Sequence, residues 1–155
     1  MRKKVLVAQS GGPTVAINAS LAGVIAGVAQ SGDYEVFGAA NGIKGVLDEN
    51  FINLSEFRED VKNGKESVSE IKISQPDGTF DTWSPKSMID RLAITPSMYL
   101  GSCRYKLPSV EEGAEVYEKI FSILDKNDIG MFFYIGGNDS MDTVNKLSTY
   151  GRSID

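Results

Sequence analysis

The sequence predicts an α/β fold, a doubly wound and mostly parallel sheet with helices on both faces. Short continuous apolar runs, typical of strands buried on both sides, alternate with segments whose apolar residues recur at helical spacing. Two of these runs end in Gly-Gly turns, at Gly11-Gly12 and Gly136-Gly137. Ligands of such sheets bind beyond the carboxyl ends of the strands, so both turns should lie at one edge of the sheet.

The first forty residues are typical of a βαβ unit. A strand is predicted over residues 4–9, and the glycine turn ends it. Pro13 suits the first helical position, because a residue there has no helical partner for its N–H. The helical spacing continues until Ser31-Gly32, and a second strand is predicted over residues 35–40.

The middle of the chain is weakly patterned. Residues 41–45 are predicted to form a turn-rich loop. Residues from about 53 to 90 are interpreted as a solvent-facing insertion, because charged residues crowd the first half. Within it we expect a helix near 55–63, a β-excursion around 68–74 and a turn at 75–78.

Regular pattern resumes near the carboxyl end. A capping box at residues 109–112 predicts a helix that continues to about residue 126. A continuous apolar strand is predicted over residues 131–135 and ends at the second glycine turn. A short helix should follow over residues 140–150, closed by Gly151.

Composition limits the chemistry. The 155 residues are 41% hydrophobic and 24% charged, which is typical of a single globular domain. The net charge of −5 argues against nucleic-acid and anionic-membrane partners. The chain has no histidine, which excludes Ser-His-Asp triads and imidazole–zinc sites. The single cysteine, Cys103, fits a cytoplasmic setting, and the apolar run before Gly11 is too short for a secretory signal.

Three short motifs carry the candidate chemistry. Ser10-Gly11-Gly12-Pro13 lets backbone N–H groups approach an anion at a helix start, although it would serve equally as a tight turn. Residues 136–143 have the sequence Gly-Gly-Asn-Asp-Ser-Met-Asp-Thr and form a second candidate glycine turn before a helix. Asp139 within it is either a carboxylate of a ligand site or a helix cap. The third motif is Gly101-Ser102-Cys103-Arg104-Tyr105-Lys106. Its arginine has a planar guanidinium that suits a phosphate ligand, or is simply a charged side chain in solvent. Asn18 is expected to pack towards the turn or to face solvent.

Taken in order, these motifs resemble the phosphofructokinase family, and within it the pyrophosphate-dependent members. The resemblance covers residues 1–50 and 98–151, where the matching motifs are Ser-Gly-Gly-Pro-Thr, Ile17-Asn18-Ala19, Asn41-Gly42-Ile43-Lys44-Gly45, Gly-Ser-Cys-Arg-Tyr-Lys and Gly-Gly-Asn-Asp-Ser-Met-Asp-Thr. The middle of the chain matches no motif of the family, so no residue roles are transferred to it.

The resemblance implies the roles of individual residues. Gly11 matches the glycine whose N–H meets the donor phosphates, and Arg104 matches the arginine that grips the transferring phosphoryl group. Asn138 stands where family members often carry an aspartate that positions Mg²⁺, and its amide offers only a neutral oxygen ligand. The implied catalytic residues are Arg104 and Asp139. The implied donor-phosphate set is Gly11, Gly12, Arg104, Tyr105, Gly137, Asn138 and Ser140.

Asp139 indicates the phosphate donor. ATP-using relatives have glycine at this place, which leaves room for the α-phosphate. A carboxylate there would repel that phosphate in a partly desolvated cleft, whereas pyrophosphate lacks a third phosphate and escapes the repulsion. The expected function is therefore transfer of a phosphoryl group from pyrophosphate to the 1-hydroxyl of fructose 6-phosphate, giving fructose 1,6-bisphosphate in glycolysis.

The resemblance also implies an incomplete site. Residues 1–155 are expected to be the amino-terminal part of the donor-binding domain. The second domain and the catalytic base, in a segment like Pro-Lys-Thr-Ile-Asp-Asn-Asp, would lie beyond Asp155, so the chain alone should be inactive. Uncovered sheet edges favour a homo-oligomer. The alternatives are an ATP-dependent enzyme of the same fold, a lipid or nicotinamide-nucleotide kinase, and a non-catalytic phosphate-binding module.

Overall fold

The computed structural model describes residues 3–57, 71–83, 87–96 and 98–154. Within these ranges the strands are β1 (Lys4–Gln9), β2 (Glu35–Ala39), β3 (Phe51–Asn53), β4 (Ile71–Ser74), β5 (Phe80–Trp83) and β6 (Ile129–Ile135). The helices are α1 (Val15–Ser31), α2 (Gly42–Leu47), α3 (Met88–Ile94), α4 (Ala114–Lys126) and α5 (Asn138–Ile154). None of the helices in the described ranges is both long and apolar enough to cross a bilayer.

The main sheet has four strands in the order β3-β2-β1-β6. The central strand β1 pairs in parallel with both β2 and β6, whereas β3 is antiparallel to β2. Parallel neighbours end on the same side, so the segments that follow β1 and β6 emerge side by side. The predicted mostly parallel sheet is confirmed.

Helices cover both faces of this sheet. Val5 and Val7 of β1 pack with the buried residues of α1 and α3, while Leu6 and Ala8 pack with those of α2, α4 and α5. Because successive side chains of a strand point to opposite faces, a strand covered on both sides must be apolar throughout. This explains the continuous run that predicted β1.

Two predictions for the first half are corrected. Pro13 is not the first helical residue: α1 begins at Val15, and Thr14 is its N-cap. Residues 42–45 are not a turn-rich loop but belong to α2, whose Ile43 and Val46 are buried in the core. The glycines of this segment do not break the helix, because apolar packing outweighs their weak helix propensity.

In the middle region, the described residues of a hairpin are mostly exposed, whereas α3 buries Ile89 and Leu92. Residues 71–74 and 80–83 form an antiparallel hairpin, which confirms the described part of the β-excursion and the turn that follows it. The unpredicted helix α3 begins at Met88, and the Oγ of its N-cap, Ser87, accepts a hydrogen bond from the Asp90 N–H. Residues 55–57 are helical, whereas 58–63 and 68–70 lie outside the described residues.

Two predicted helix boundaries near the carboxyl end are also wrong. Ser109 and Glu112 form a turn before α4, which begins at Ala114 after Gly113 and has no side-chain cap. Gly113 packs directly against the Pro108 ring, which separates the turn from the helix. Gly151 does not end α5; a Cβ there would lie 3.1 Å from the Phe121 ring, so this glycine permits close helix packing.

We expect Gly45→Ala to destabilise the chain. A Cβ at this position would collide with the carbonyl oxygen of Ala40, which is backbone and cannot rotate away. Overpacking of this kind costs about 1–3 kcal/mol. Thermal unfolding should show a lower Tm, whereas the control Gly23→Ala, with no atom within 4 Å of its Cβ, should gain about 0.5–1 kcal/mol from helix propensity. Equal shifts in both variants would contradict this account.

Candidate functional site

The two glycine turns lie against each other at the carboxyl edge of the sheet. The Ser10 N–H donates to the Ile135 carbonyl oxygen at 2.7 Å, which joins the ends of β1 and β6. Gly11 has a φ of 85°, and a Cβ on it would lie 3.5 Å from the Gly137 nitrogen. The positive φ favours glycine here, because other residues are strained in this conformation, whereas a Cβ would make only ordinary van der Waals contact with the Gly137 nitrogen. The prediction that both turns share one edge is confirmed.

The arginine-bearing segment lies beside these turns. The Ser102 hydroxyl donates to the Gly11 carbonyl oxygen at 3.3 Å. The Asn41 N–H donates to the Leu100 carbonyl oxygen at 2.7 Å, and Gly101 next to it has a φ of 73°. Three segments far apart in sequence are thus held at one place.

Together they enclose a cavity of about 480 Å³, which we call the glycine-turn cavity. It is lined by Ser10, Gly11, Gly12, Ser102, Cys103, Arg104, Tyr105, Lys106, Leu107, Tyr134, Asp139, Asp142 and Thr143. Five residues predicted from the sequence therefore meet here: Gly11, Gly12, Arg104, Tyr105 and Asp139. Their predicted roles are not tested by this arrangement, but their juxtaposition is what those roles require.

The other three predicted residues lie outside the lining. Gly137 and Asn138 are exposed at the start of α5. Ser140 is only 2% exposed and packs over Gly136, and its Oγ has no hydrogen-bond partner in the described part of the chain. Phosphate binding by these residues stays a prediction.

The cavity also contains a tyrosine that sequence reasoning missed. Tyr134 lies near the end of β6, and burial raises the pKa of its phenol, an effect that a hydrogen bond with Ser10 partly offsets. The phenol therefore stays protonated at neutral pH and can donate a hydrogen bond. In the sequence Tyr134 is one more residue of an apolar strand, and such a pattern does not reveal which polar tip reaches a cavity.

Charges of both signs line the cavity. Arg104 and Lys106 belong to one wall, and Asp139 and Asp142 belong to α5. Asp142 forms an ion pair with Lys146 one turn later, at 2.8 Å, and this hydrogen bond raises the pKa of the Lys146 ammonium. Lys146 also donates to the Leu107 carbonyl oxygen at 3.1 Å, which ties α5 to the opposite wall.

Two buried amides lie behind the cavity, and sequence reasoning missed the first of them, Gln9. Gln9 is completely buried and Asn18 is 2% exposed. Asn18 therefore packs inward and does not face solvent, which is one of the two placements predicted from the sequence. Only its position just before the first glycine turn could have drawn attention to Gln9.

The acidic residues of the cavity suit a magnesium ion, which needs few ligands from the protein. In the described ranges, no group of three or more Cys, Asp or Glu side chains could hold a metal ion by itself. Mg²⁺ commonly binds through one or two carboxylates and completes its shell with substrate phosphates and water. Asp139 and Asp142, both in the cavity lining, fit that smaller requirement.

Comparisons with known proteins point to one family. A family model described as Phosphofructokinase matches residues 4–154. The chain is 39% identical over 149 residues to the pyrophosphate–fructose 6-phosphate 1-phosphotransferase of Xanthomonas campestris pv. campestris (strain B100), covering 96% of this chain and 29% of the relative. It is 35% identical over 153 residues to the protein of that name from Rhodospirillum rubrum, covering 98% and 30%.

A solved structure gives the same result. The crystal structure of a pyrophosphate-dependent phosphofructokinase from Nitrosospira multiformis superposes with a TM-score of 0.68 at 35% identity. The match covers 99% of this chain and 31% of that one. The chain thus spans about three tenths of the length of the relatives it matches.

Proposed function

Because this chain belongs to the phosphofructokinase family, we propose that it provides the phosphate-donor site of a pyrophosphate-dependent 6-phosphofructokinase. The enzyme transfers a phosphoryl group from pyrophosphate to the 1-hydroxyl of fructose 6-phosphate, a cytoplasmic step of glycolysis. The relatives' names support the reaction. The observation that carries the donor assignment is that Asp139 lines the same cavity as Gly11 and Arg104.

The glycine turns bind the donor phosphates. Gly11 and Gly12 line the cavity where β1 ends, and a glycine has no side chain that could keep an anion away from its backbone N–H. Arg104 offers a planar fork that holds phosphate oxygens in two places. Phosphoryl transfer spreads negative charge over the moving group, and a positioned arginine stabilises that charge.

Asp139 selects the donor by repulsion. Pyrophosphate occupies the cavity with two phosphates, and a third phosphate would have to approach the carboxylate at the start of α5. The cost of that approach is larger inside a cleft than in water, because fewer water molecules screen the charges. The carboxylate therefore disfavours binding of ATP more strongly than binding of pyrophosphate.

Mg²⁺ accompanies the donor. Asp142 is the carboxylate that would hold it, directly or through water, with Asn138 as a neutral oxygen ligand nearby, which leaves the Asp139 carboxylate uncoordinated. When bound, the ion neutralises part of the phosphate charge. Lys146 keeps Asp142 in place through the ion pair described above.

The chain as given is proposed to associate with copies of itself, as a homo-oligomer. β6 lies at the end of the four-stranded sheet, and its Met131 and Phe133 are 38% and 42% exposed. An unpaired strand edge with apolar side chains favours association.

ATP remains the alternative donor, because a second cavity of about 390 Å³ adjoins the first. The two cavities share Ser102, Cys103 and Arg104, and Asn41 and Lys44 contribute to the second one. It offers space for the ribose and base of a nucleotide. Asp139 is the feature that argues against ATP as the donor.

A donor assay on the full-length natural protein tests the proposal. Fructose 6-phosphate and Mg²⁺ are supplied with either pyrophosphate or ATP, and formation of fructose 1,6-bisphosphate is followed. We expect pyrophosphate to be used at least about 10²-fold more efficiently, given the size of charge repulsion in a cleft. Preferential use of ATP would overturn the donor assignment, and no reaction with either donor would overturn the proposed function.

A further inference from the structure

Gln9 links three parts of the chain from a completely buried position. Its Nε2 donates to the Ile17 carbonyl oxygen at 3.2 Å and to the Asn18 Oδ1 at 3.1 Å, both on α1. Its Oε1 accepts from the Leu100 N–H at 2.8 Å, across 91 positions of sequence. The amide therefore joins the end of β1 to the segment that carries Arg104.

Asn18 makes the second set of contacts to the same segment. Its Nδ2 donates to the Thr95 carbonyl oxygen at 3.0 Å, and its Oδ1 accepts from the Tyr99 N–H at 2.9 Å. On the far side, the Leu100 carbonyl oxygen accepts from the Asn41 N–H at 2.7 Å. Leu100 is thus bonded through both its N–H and its carbonyl, four residues before Arg104.

We infer that Gln9 and Asn18, here called the amide clamp, are positioning residues that set where Arg104 stands relative to the Gly11 turn. The inference rests on the proposed function. Beyond Leu100, the hydrogen bond that joins this segment to the turn is the longer one from Ser102 to Gly11, at 3.3 Å. Loss of the clamp would let the arginine shift, while the core formed by Leu21 and Ile25 stays intact.

A merely structural role is the competing explanation, since buried amides need partners in any fold. The two explanations differ in one respect. A clamp that acts through Arg104 matters only while the arginine is present, whereas a general structural defect lowers activity in any background. A double-mutant cycle measures that difference.

The cycle combines Gln9→Met with Arg104→Ala in the full-length protein. Methionine fills nearly the same shape without hydrogen-bonding to Leu100. We expect Gln9→Met alone to lower kcat/KM for pyrophosphate roughly 10²-fold, the loss typical of a misplaced catalytic group. In the Arg104→Ala background the same change should cost less than about 3-fold. Gln30→Met, at an exposed position of α1, is the matched control.

A second variant keeps the test independent of one substitution. Asn18→Ala should show the same dependence on Arg104, with Asn145→Ala on the exposed face of α5 as its control. Losses that add fully to that of Arg104→Ala in both clamp variants would overturn the inference. Full kcat/KM in either folded clamp variant would overturn it as well.

Failure of the proposed function gives a different result. If Arg104→Ala itself leaves pyrophosphate use unchanged, the donor site is wrongly assigned, and the clamp's part in transfer falls with it. Hydrogen exchange then measures the clamp separately: the Tyr99 and Leu100 amides should exchange at least about tenfold faster in Gln9→Met than in Gln30→Met. Unchanged exchange there would overturn the clamp itself.

Discussion

Arg104→Ala in the full-length protein is expected to lower kcat for pyrophosphate-dependent transfer roughly 10³-fold or more, the range seen when a phosphoryl-stabilising arginine is removed. The guanidinium lies in the wall of the glycine-turn cavity, next to the segment bonded to Gly11. Its charge counts most in the transition state, where negative charge spreads over the transferring group. The KM for pyrophosphate should therefore change less than kcat. Steady-state kinetics with varied pyrophosphate measures both.

Two further substitutions make this result specific. Arg104→Lys keeps the charge but loses the planar fork, so it should recover only part of the activity. Arg91→Ala removes an exposed arginine of α3 that does not line the glycine-turn cavity, and it should leave kcat within about 2-fold. Equal losses in Arg91→Ala and Arg104→Ala would show that the effect is not local to the cavity.

Asp139→Gly is expected to raise kcat/KM for ATP about 10²-fold, since it removes one like-charge contact in a partly screened cleft. The gain comes from losing a repulsion, so pyrophosphate should remain a substrate. Asp139→Asn separates charge from size, because it keeps the side-chain volume and removes the carboxylate. If repulsion is the cause, the asparagine variant should show most of the gain. Donor assays with ATP and pyrophosphate at constant fructose 6-phosphate measure the change.

Asp142→Asn is the matched control for the donor switch. Asp142 lines the same cavity, but its carboxylate is already paired with Lys146 at 2.8 Å. Its removal should lower transfer from both donors by weakening Mg²⁺ binding, but it should change the ratio of ATP to pyrophosphate use far less than removal of Asp139. An ATP rate that stays at the wild-type level in both Asp139 variants would disprove selection by this carboxylate and would revive the alternative donor.

Local patterns predicted the frame of the molecule. The run that became β1 is apolar because both of its faces are covered, and that need is visible in a few consecutive residues. The run that became β6 is also continuously apolar, although its Met131 and Phe133 are exposed. The two Gly-Gly turns mark where these strands end. Because parallel neighbours end at one edge, the sequence could also predict that the turns meet.

Local patterns failed where a distant contact decides the outcome. The capping box at Ser109 and Glu112 matched a helix start, yet Gly113 and the Pro108 ring place the start of α4 at Ala114. Gly151 resembled a helix end, but the Phe121 ring packs against it within α5. In each case a residue on another turn or element outweighs a local preference.

The sequence by itself determined the α/β class and the ends of β1 and β6, because each depends on chemistry within a few neighbouring positions. Its resemblance to the phosphofructokinase family indicated five residues of the cavity. Only the tertiary structure decided that Tyr134 and Asp142 also line that cavity and that Gln9 reaches Leu100, 91 positions away. Such contacts depend on which side chains the finished sheet and helices bring together. The spacing of hydrophobic residues predicts that a residue is buried, whereas only the folded structure shows which residues it contacts.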